Sequence, residues 1–278
     1  QGRMEDDVGG NVELDVAVDS AKYGEEAITV QVPDVAGSKR PREEEAADGQ
    51  PPVKKAKKKR KKKKKPDNVG IVAATASISP ELQAEFWQRI LAMSKPELSV
   101  ERGGHAYTGE NFVDLQAVPA PREIAALKAV LKAMFPDDQV LKMRKKWKAG
   151  RPRSVIVSPS AAGVIEFTKE LTKHYNPQSG VRVAKLFARH IKLSEQIEQL
   201  KGAKISVAVG TPLRIAQLVQ SKSLDLSQTQ VLLVDVRLNI KQQTIFNIKD
   251  TCEALFSLYA DSALIENVAA GKTRLAFF

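Results

Sequence analysis

Residues 231–239 read VLLVDVRLN. An apolar strand running into an aspartate is where a nucleotide-hydrolysing enzyme keeps an acid for its divalent ion. One acid is not enough for that chemistry. The ion needs several oxygens, and a second carboxylate must orient the attacking water. Here Asp235 is followed by Val236, Arg237 and Leu238, so neither requirement is met locally. The other requirement is a phosphate-cradling loop, Gly-x-x-x-x-Gly-Lys-Ser/Thr, between a strand and a helix. None precedes residue 151. The GKT at Gly271–Thr273 has Glu266 where the first glycine belongs, and it follows a helical pattern. Gly271 therefore reads as a helix C-cap. Asp235 is expected to be a strand-end hydrogen-bond acceptor, not a working metal ligand. His105, His174, His190 and the single Cys252 cannot assemble a zinc cluster, and no acid–nucleophile constellation surrounds His190. The sequence thus predicts no catalytic residue, no metal site and no cofactor.

The remaining candidates are basic. Lys185, Arg189, His190 and Lys192 fall within eight residues. They form either a strip facing RNA or an acidic partner, or a solvated face. The segment 141–151, LKMRKKWKAGR, sets six bases around Trp147. Arg144, Lys145 and Lys146 with Trp147 would clamp a backbone and stack on a base. The alternative is a helix whose long side chains snorkel over core.

These residues need a scaffold. From residue 151 onward, short apolar runs alternate with helical patterns: strands at 153–158, 181–187, 204–210, 230–236 and the terminal RLAFF, with helices at 160–175, 193–200, 211–220 and 250–270. Ser194 is the expected cap of the second helix. Continuous apolar strands between helices predict an α/β fold, a parallel sheet of about five strands covered by helices on both faces. Ligands of such sheets sit beyond the carboxyl ends of the strands. The loops of interest are then Ser158–Pro159, Gly210–Thr211–Pro212 and Asp235–Arg237. Residues 66–150 read as a helical and loop extension. In it, Leu82, Phe86, Ile90 and Met93 form one apolar face of a helix over 80–93, and a stronger helix covers 121–135. Residues 98–121 read as loop.

The 278 residues carry a net charge of +11, unevenly spread. Residues 1–52 hold 13 acids and 5 bases, and residues 53–65 hold 11 bases and no acid. Segment 1–65 is expected to be a disordered tail, acidic and then Lys-rich, because it has too little apolar surface to offset ordering entropy. Lys39 and Arg40, then Lys54, Lys55, Lys57, Lys58, Lys59 and Arg60, have the spacing of a bipartite nuclear-import signal. The alternative is a generic solvated charge block. The basic balance favours an anionic partner such as nucleic acid. No apolar run is long enough to cross a bilayer, and the first residues lack the order of a secretory leader. One cysteine predicts no intrachain disulfide and no disulfide-linked partner.

Taken in order, SPSAAGVIEF (158–167), VGTPLRIAQLV (209–219) and VLLVD (231–235) resemble the first RecA-like domain of DEAD-box RNA helicases. Leu213 stands in place of the glycine of that family's Thr-Pro-Gly-Arg segment. The resemblance implies that Ser158, Gly210, Thr211, Pro212 and Arg214 line an RNA-backbone contact at a helix N-terminus. A structural N-cap with an exposed arginine is the competing reading. KLFARHIKLSEQIEQL (185–200), the spacing to VGTPLRIAQLV, IKDTCEALFSLY (248–259) and RLAFF are more specific. With these, the chain resembles the Cms/CMSS family of nucleolar proteins associated with the small-subunit processome, the early 90S pre-ribosome. That resemblance implies a non-catalytic assembly factor in the nucleus and nucleolus. Its partners would be pre-rRNA or small nucleolar RNA and processome proteins. An ATP-dependent helicase acting with a partner and a pure protein adaptor are the rival functions.

Overall fold

The computed structural model describes residues 75–119, 122–137, 141–142, 146–175, 177–189, 191–260 and 262–278. Grouped by contacts, the chain divides into Gln1–Lys65 and Pro66–Phe278, and every described residue belongs to the second unit. The expectations for segment 1–65 lie outside the described residues.

Five strands form one sheet: β1 (Ser154–Val157), β2 (Val183–Leu186), β3 (Val207–Gly210), β4 (Val231–Val234) and β5 (Arg274–Phe277), in the order β2-β3-β1-β4-β5. Every pairing is parallel. Three strands are buried at every residue, as expected of strands covered on both faces. Successive side chains alternate between two cores. Val155 and Val157 enter one core, and Ile156 enters the other. On the first face lie α1 (Pro80–Ser94), α4 (Leu193–Leu200), α5 (Pro212–Gln220), α6 (Lys249–Ala260) and α7 (Leu264–Ala269); on the second lie α2 (Leu127–Met134) and α3 (Ala161–His174).

The segment preceding β1 feeds both cores. Trp87, Leu91 and Tyr107 join the first, and Val113, Leu127, Leu131 and Met134 the second. Phe112 bridges to Leu275 in parallel, and the Val113 N–H donates to the Leu275 carbonyl at 2.8 Å, so β5 is not a bare edge. Buried Arg122 fixes this segment. It donates to the carbonyls of Ala76 (2.6 Å), Phe277 (2.9 Å) and Leu115 (2.8 Å), and burial lowers its pKa.

Several local expectations change. The buried face of α1 is Gln83, Ala84, Trp87 and Leu91, while Leu82 and Met93 are 49% and 74% exposed. Trp87 commands the face because it packs on Phe256, Tyr259 and Phe277 at once. Ser79 caps α1, donated to by the Leu82 N–H. Ser194 lies inside α4 and caps nothing; instead Glu195 reaches back to the Lys192 N–H at 3.2 Å. The long helix at 250–270 is two helices, α6 and α7. Between residues 98 and 121, single 3-10 turns at Val100–Arg102 and Gly109–Asn111 punctuate the loop. Gly271 follows α7 with φ of 67°, a left-handed helix end, as its neighbours in the GKT suggested.

Candidate functional site at the carboxyl edge of the sheet

Asp235 leaves β4 at the carboxyl edge and is 3% exposed. A carboxylate that deep must have its lone pairs filled. Its own chain fills them. Arg237, two residues on, donates from Nε to Oδ1 at 2.8 Å, from Nη2 to Oδ2 at 3.1 Å, and from its backbone N–H to Oδ1 at 3.2 Å. The Ser158 hydroxyl, at the end of β1, donates to Oδ2 at 2.9 Å. Arg237 Nη1 reaches Glu166 of α3 at 3.3 Å. The same guanidinium lies 4.8 Å from the Phe167 ring centroid and 5.3 Å from that of Phe278. Burial alone would lower the Arg237 pKa, but the hydrogen bonds and charges of Asp235 and Glu166 outweigh it and raise the pKa.

This arrangement needs close approach of α3. A Cβ on Gly163 would run into Ser158 Oγ. The Gly163 N–H donates to Ser160, the cap of α3, at 3.1 Å. Val236 takes the position after the acid as a core residue, 2% exposed, its N–H donating to the Phe278 carbonyl. Asp235 is thus one arm of a closed bidentate ion pair, the strongest carboxylate–arginine geometry. Among the described residues, no group of three or more His, Cys, Asp or Glu could hold a metal.

A second network lies at the start of α5. Thr211 holds the N-cap position, but its hydroxyl makes no capping bond, and Ile215 is the first residue of the helix to donate back. The N–H groups of Leu213 and Arg214 therefore point out of the helix end, with the dipole behind them. The Arg214 side chain is not solvent-exposed, contrary to the structural alternative. It is 5% exposed and donates to Gln196 Oε1 at 3.0 Å and to the Ile191 carbonyl at 3.1 Å, and burial lowers its pKa. Gln196 in turn donates to the Lys185 carbonyl at 3.0 Å, joining α4, α5 and β2. Gly210 is required here, since a Cβ would meet the Leu186 carbonyl and Ile215.

The other expected RNA residues are scattered. Lys185, Arg189 and Lys192 are exposed on the β2–α4 side, with Lys185 Nζ 5.8 Å from the Phe187 ring. Pro212 is buried, and Ser158 is committed to Asp235. Trp147 is buried and stacked by Arg153, whose Cζ lies 5.0 Å from its ring, so Trp147 offers no open face to a base. The segment around it is turn and coil, not a snorkelling helix. Lys146 is exposed, and Arg144, Lys145 and His190 lie outside the described residues. Glu166, Gly163 and Gln196 were missed by the sequence reading, which followed motifs and not the side chains supporting them. Cys252 is free and buried, within 3.7 Å of Ser94. Among the described residues, no helix is long and apolar enough to cross a membrane.

Comparisons with known proteins agree with this geometry. Protein cms1 of Schizosaccharomyces pombe is 30% identical over 128 residues, 46% of this chain and 45% of that protein. The chain thus matches less than half the length of that relative. Protein CMS1 of Chaetomium thermophilum is 26% identical over 193 residues, 69% of this chain and 76% of that protein. The ATP-dependent RNA helicase dbp3 of Emericella nidulans is 34% identical over 97 residues, 35% of this chain but 19% of that protein. The model of the CMS1 family, described as the U3-containing 90S pre-ribosomal complex subunit, matches residues 30–278, and the chain belongs to that family.

Proposed function

We propose that this chain is a non-catalytic ribosome-biogenesis factor of the small-subunit processome. It acts in the nucleolus through a basic tail and a helicase-like domain that has given up nucleotide hydrolysis. The observation that carries this reading is the closure of Asp235 by Arg237. A hydrolytic acid must hold an exchangeable ion, and here a tethered guanidinium fills that place. The missing phosphate loop supports the same reading.

RNA contact rests on two features. The open N–H groups of Leu213 and Arg214 suit a phosphate, and Lys185, Arg189 and Lys192 supply exposed charge on the adjacent side. Most affinity would come from phosphates and would fall steeply with salt. The burial of Trp147 and Arg214 favours the rival reading of a protein adaptor, because it removes two RNA-facing candidates. Titration calorimetry with ATP and magnesium, together with crosslinking of the full chain to RNA in cells, separates the readings. No heat with ATP and RNA adducts within 185–214 are expected. Micromolar ATP binding would restore the enzyme reading, and an absence of RNA adducts would leave the adaptor.

A further inference from the structure

We propose that the outer face of α1 is a docking surface for a basic amphipathic helix of a partner protein. The sequence carries an apolar stripe at Leu82, Phe86, Ile90 and Met93 that the fold does not bury. Trp87, one step round the helix, takes the core instead. Leu82 and Met93 remain 49% and 74% exposed, and Val100 on the following turn is 41% exposed. These are three of the five exposed large apolar residues among those described. Single exposed apolar residues are ordinary, but a stripe at helical spacing beside a groove marks an interaction surface.

The groove holds about 420 Å³ between the flank of α1 and the turn at Ser99–Glu101, with Ala92, Met93 and Val100 as its apolar lining. A trough walled by one helix and one turn takes the side chains of a second helix laid along it. Its rim gives the partner's charge. Glu85 and Glu101 border it, and Glu81 and Glu97 extend the acidic zone. None of these four forms an ion pair among the described residues. The one rim cation, Arg89, lies over the Phe86 ring at 5.8 Å. In a chain of net charge +11, this is an acid-rimmed apolar surface. It repels phosphate and favours lysine and arginine flanking an apolar stripe. The partner at this face is therefore protein, in contrast to the basic surfaces elsewhere on the chain.

The test places a photo-reactive benzophenone amino acid at position 93 of the full chain in cells. Position 93 is exposed, so the label leaves the core intact. The adducts are mapped by mass spectrometry in the parent and in a Glu85→Lys/Glu101→Lys double variant. The expected result is protein adducts within a segment that has apolar residues at i, i+3, i+4 and i+7 and Lys or Arg beside them. Their yield should fall at least tenfold in the double variant, with its thermal unfolding unchanged. Adducts to RNA, adducts to an acidic segment, yields unaffected by charge reversal, or no adduct would each overturn the proposal.

Discussion

Arg237→Met tests the closed ion pair directly. Methionine keeps an apolar stem near Phe167 and Phe278 but removes the guanidinium. Asp235, 3% exposed, then keeps only the Ser158 hydroxyl and one backbone N–H as donors. Removing one partner of a buried pair costs about 3–5 kcal/mol, mostly because a charge is left uncompensated. The Arg237 side chain is itself 22% exposed, which admits some water and places the loss near the lower end, about 3 kcal/mol. Urea unfolding should show this as a lower midpoint at constant slope. Adding Asp235→Asn removes the stranded charge, so the double variant should recover roughly half the loss, a coupling of about 1–2 kcal/mol. The raised Arg237 pKa means that the contribution is fully present up to strong alkali, so the loss should be the same across neutral pH. A loss under about 0.5 kcal/mol, or additive single effects, would refute the idea that this pair closes the edge.

Arg122→Lys should destabilise by about 2 kcal/mol, since one ammonium cannot serve the three carbonyls that the planar fork reaches, and thermal unfolding would show it. The hydroxyls of Tyr107 and Tyr259 meet at 2.9 Å, and burial raises the pKa of both. Both tyrosines therefore favour the folded state while neutral. Stability should decline as pH rises above about 10, and a Tyr107→Phe/Tyr259→Phe variant should decline less. The Asp225 pKa is lowered: burial opposes this, but bonds from Ser227 and the charges of Arg151 and Lys148 prevail. Asp225→Asn should cost about 0.5–1 kcal/mol at neutral pH, and the difference should close as pH falls below the ordinary carboxylate value.

The sheet was legible because strands covered on both faces are written as unbroken β-branched runs, as in Val155–Ile156–Val157 and Val231–Val234. The face of α1 was not, because the helix carries two apolar stripes. Only tertiary contact with Phe256, Tyr259 and Phe277 chooses the one with Trp87. Tyr107, Phe112 and Val113 were hidden in a stretch without periodicity; they reach the core because the β5 edge needs a cover. At the site, Asp235 as a strand-end acceptor followed from the loss of the neighbouring acids. Its closure by Arg237 could also have been read, since residues two apart on an extended chain project to the same side. The burial of Arg214 could not, because its partner Gln196 lies on another helix 18 residues away in sequence.

Arg237 stands where a helicase places its ion, which makes cation binding a competition between a tethered and a free charge. Asp235, Glu166 and Ser158 still present oxygens to the guanidinium. For a free divalent ion to enter, Arg237 must leave, at about 3 kcal/mol, which weakens apparent binding by roughly 150-fold. An oxygen site of about 1 mM affinity, common for weak calcium sites, would then bind near 150 mM. At 10 mM calcium the parent should gain nearly nothing in unfolding free energy. The Arg237→Met variant should gain about 1.4 kcal/mol, and Arg237→Met/Asp235→Asn should gain none. Equal stabilisation of the parent and the single variant would mean that the guanidinium does not occupy the ion's place. The fold would then keep an open cation site that the present reading denies.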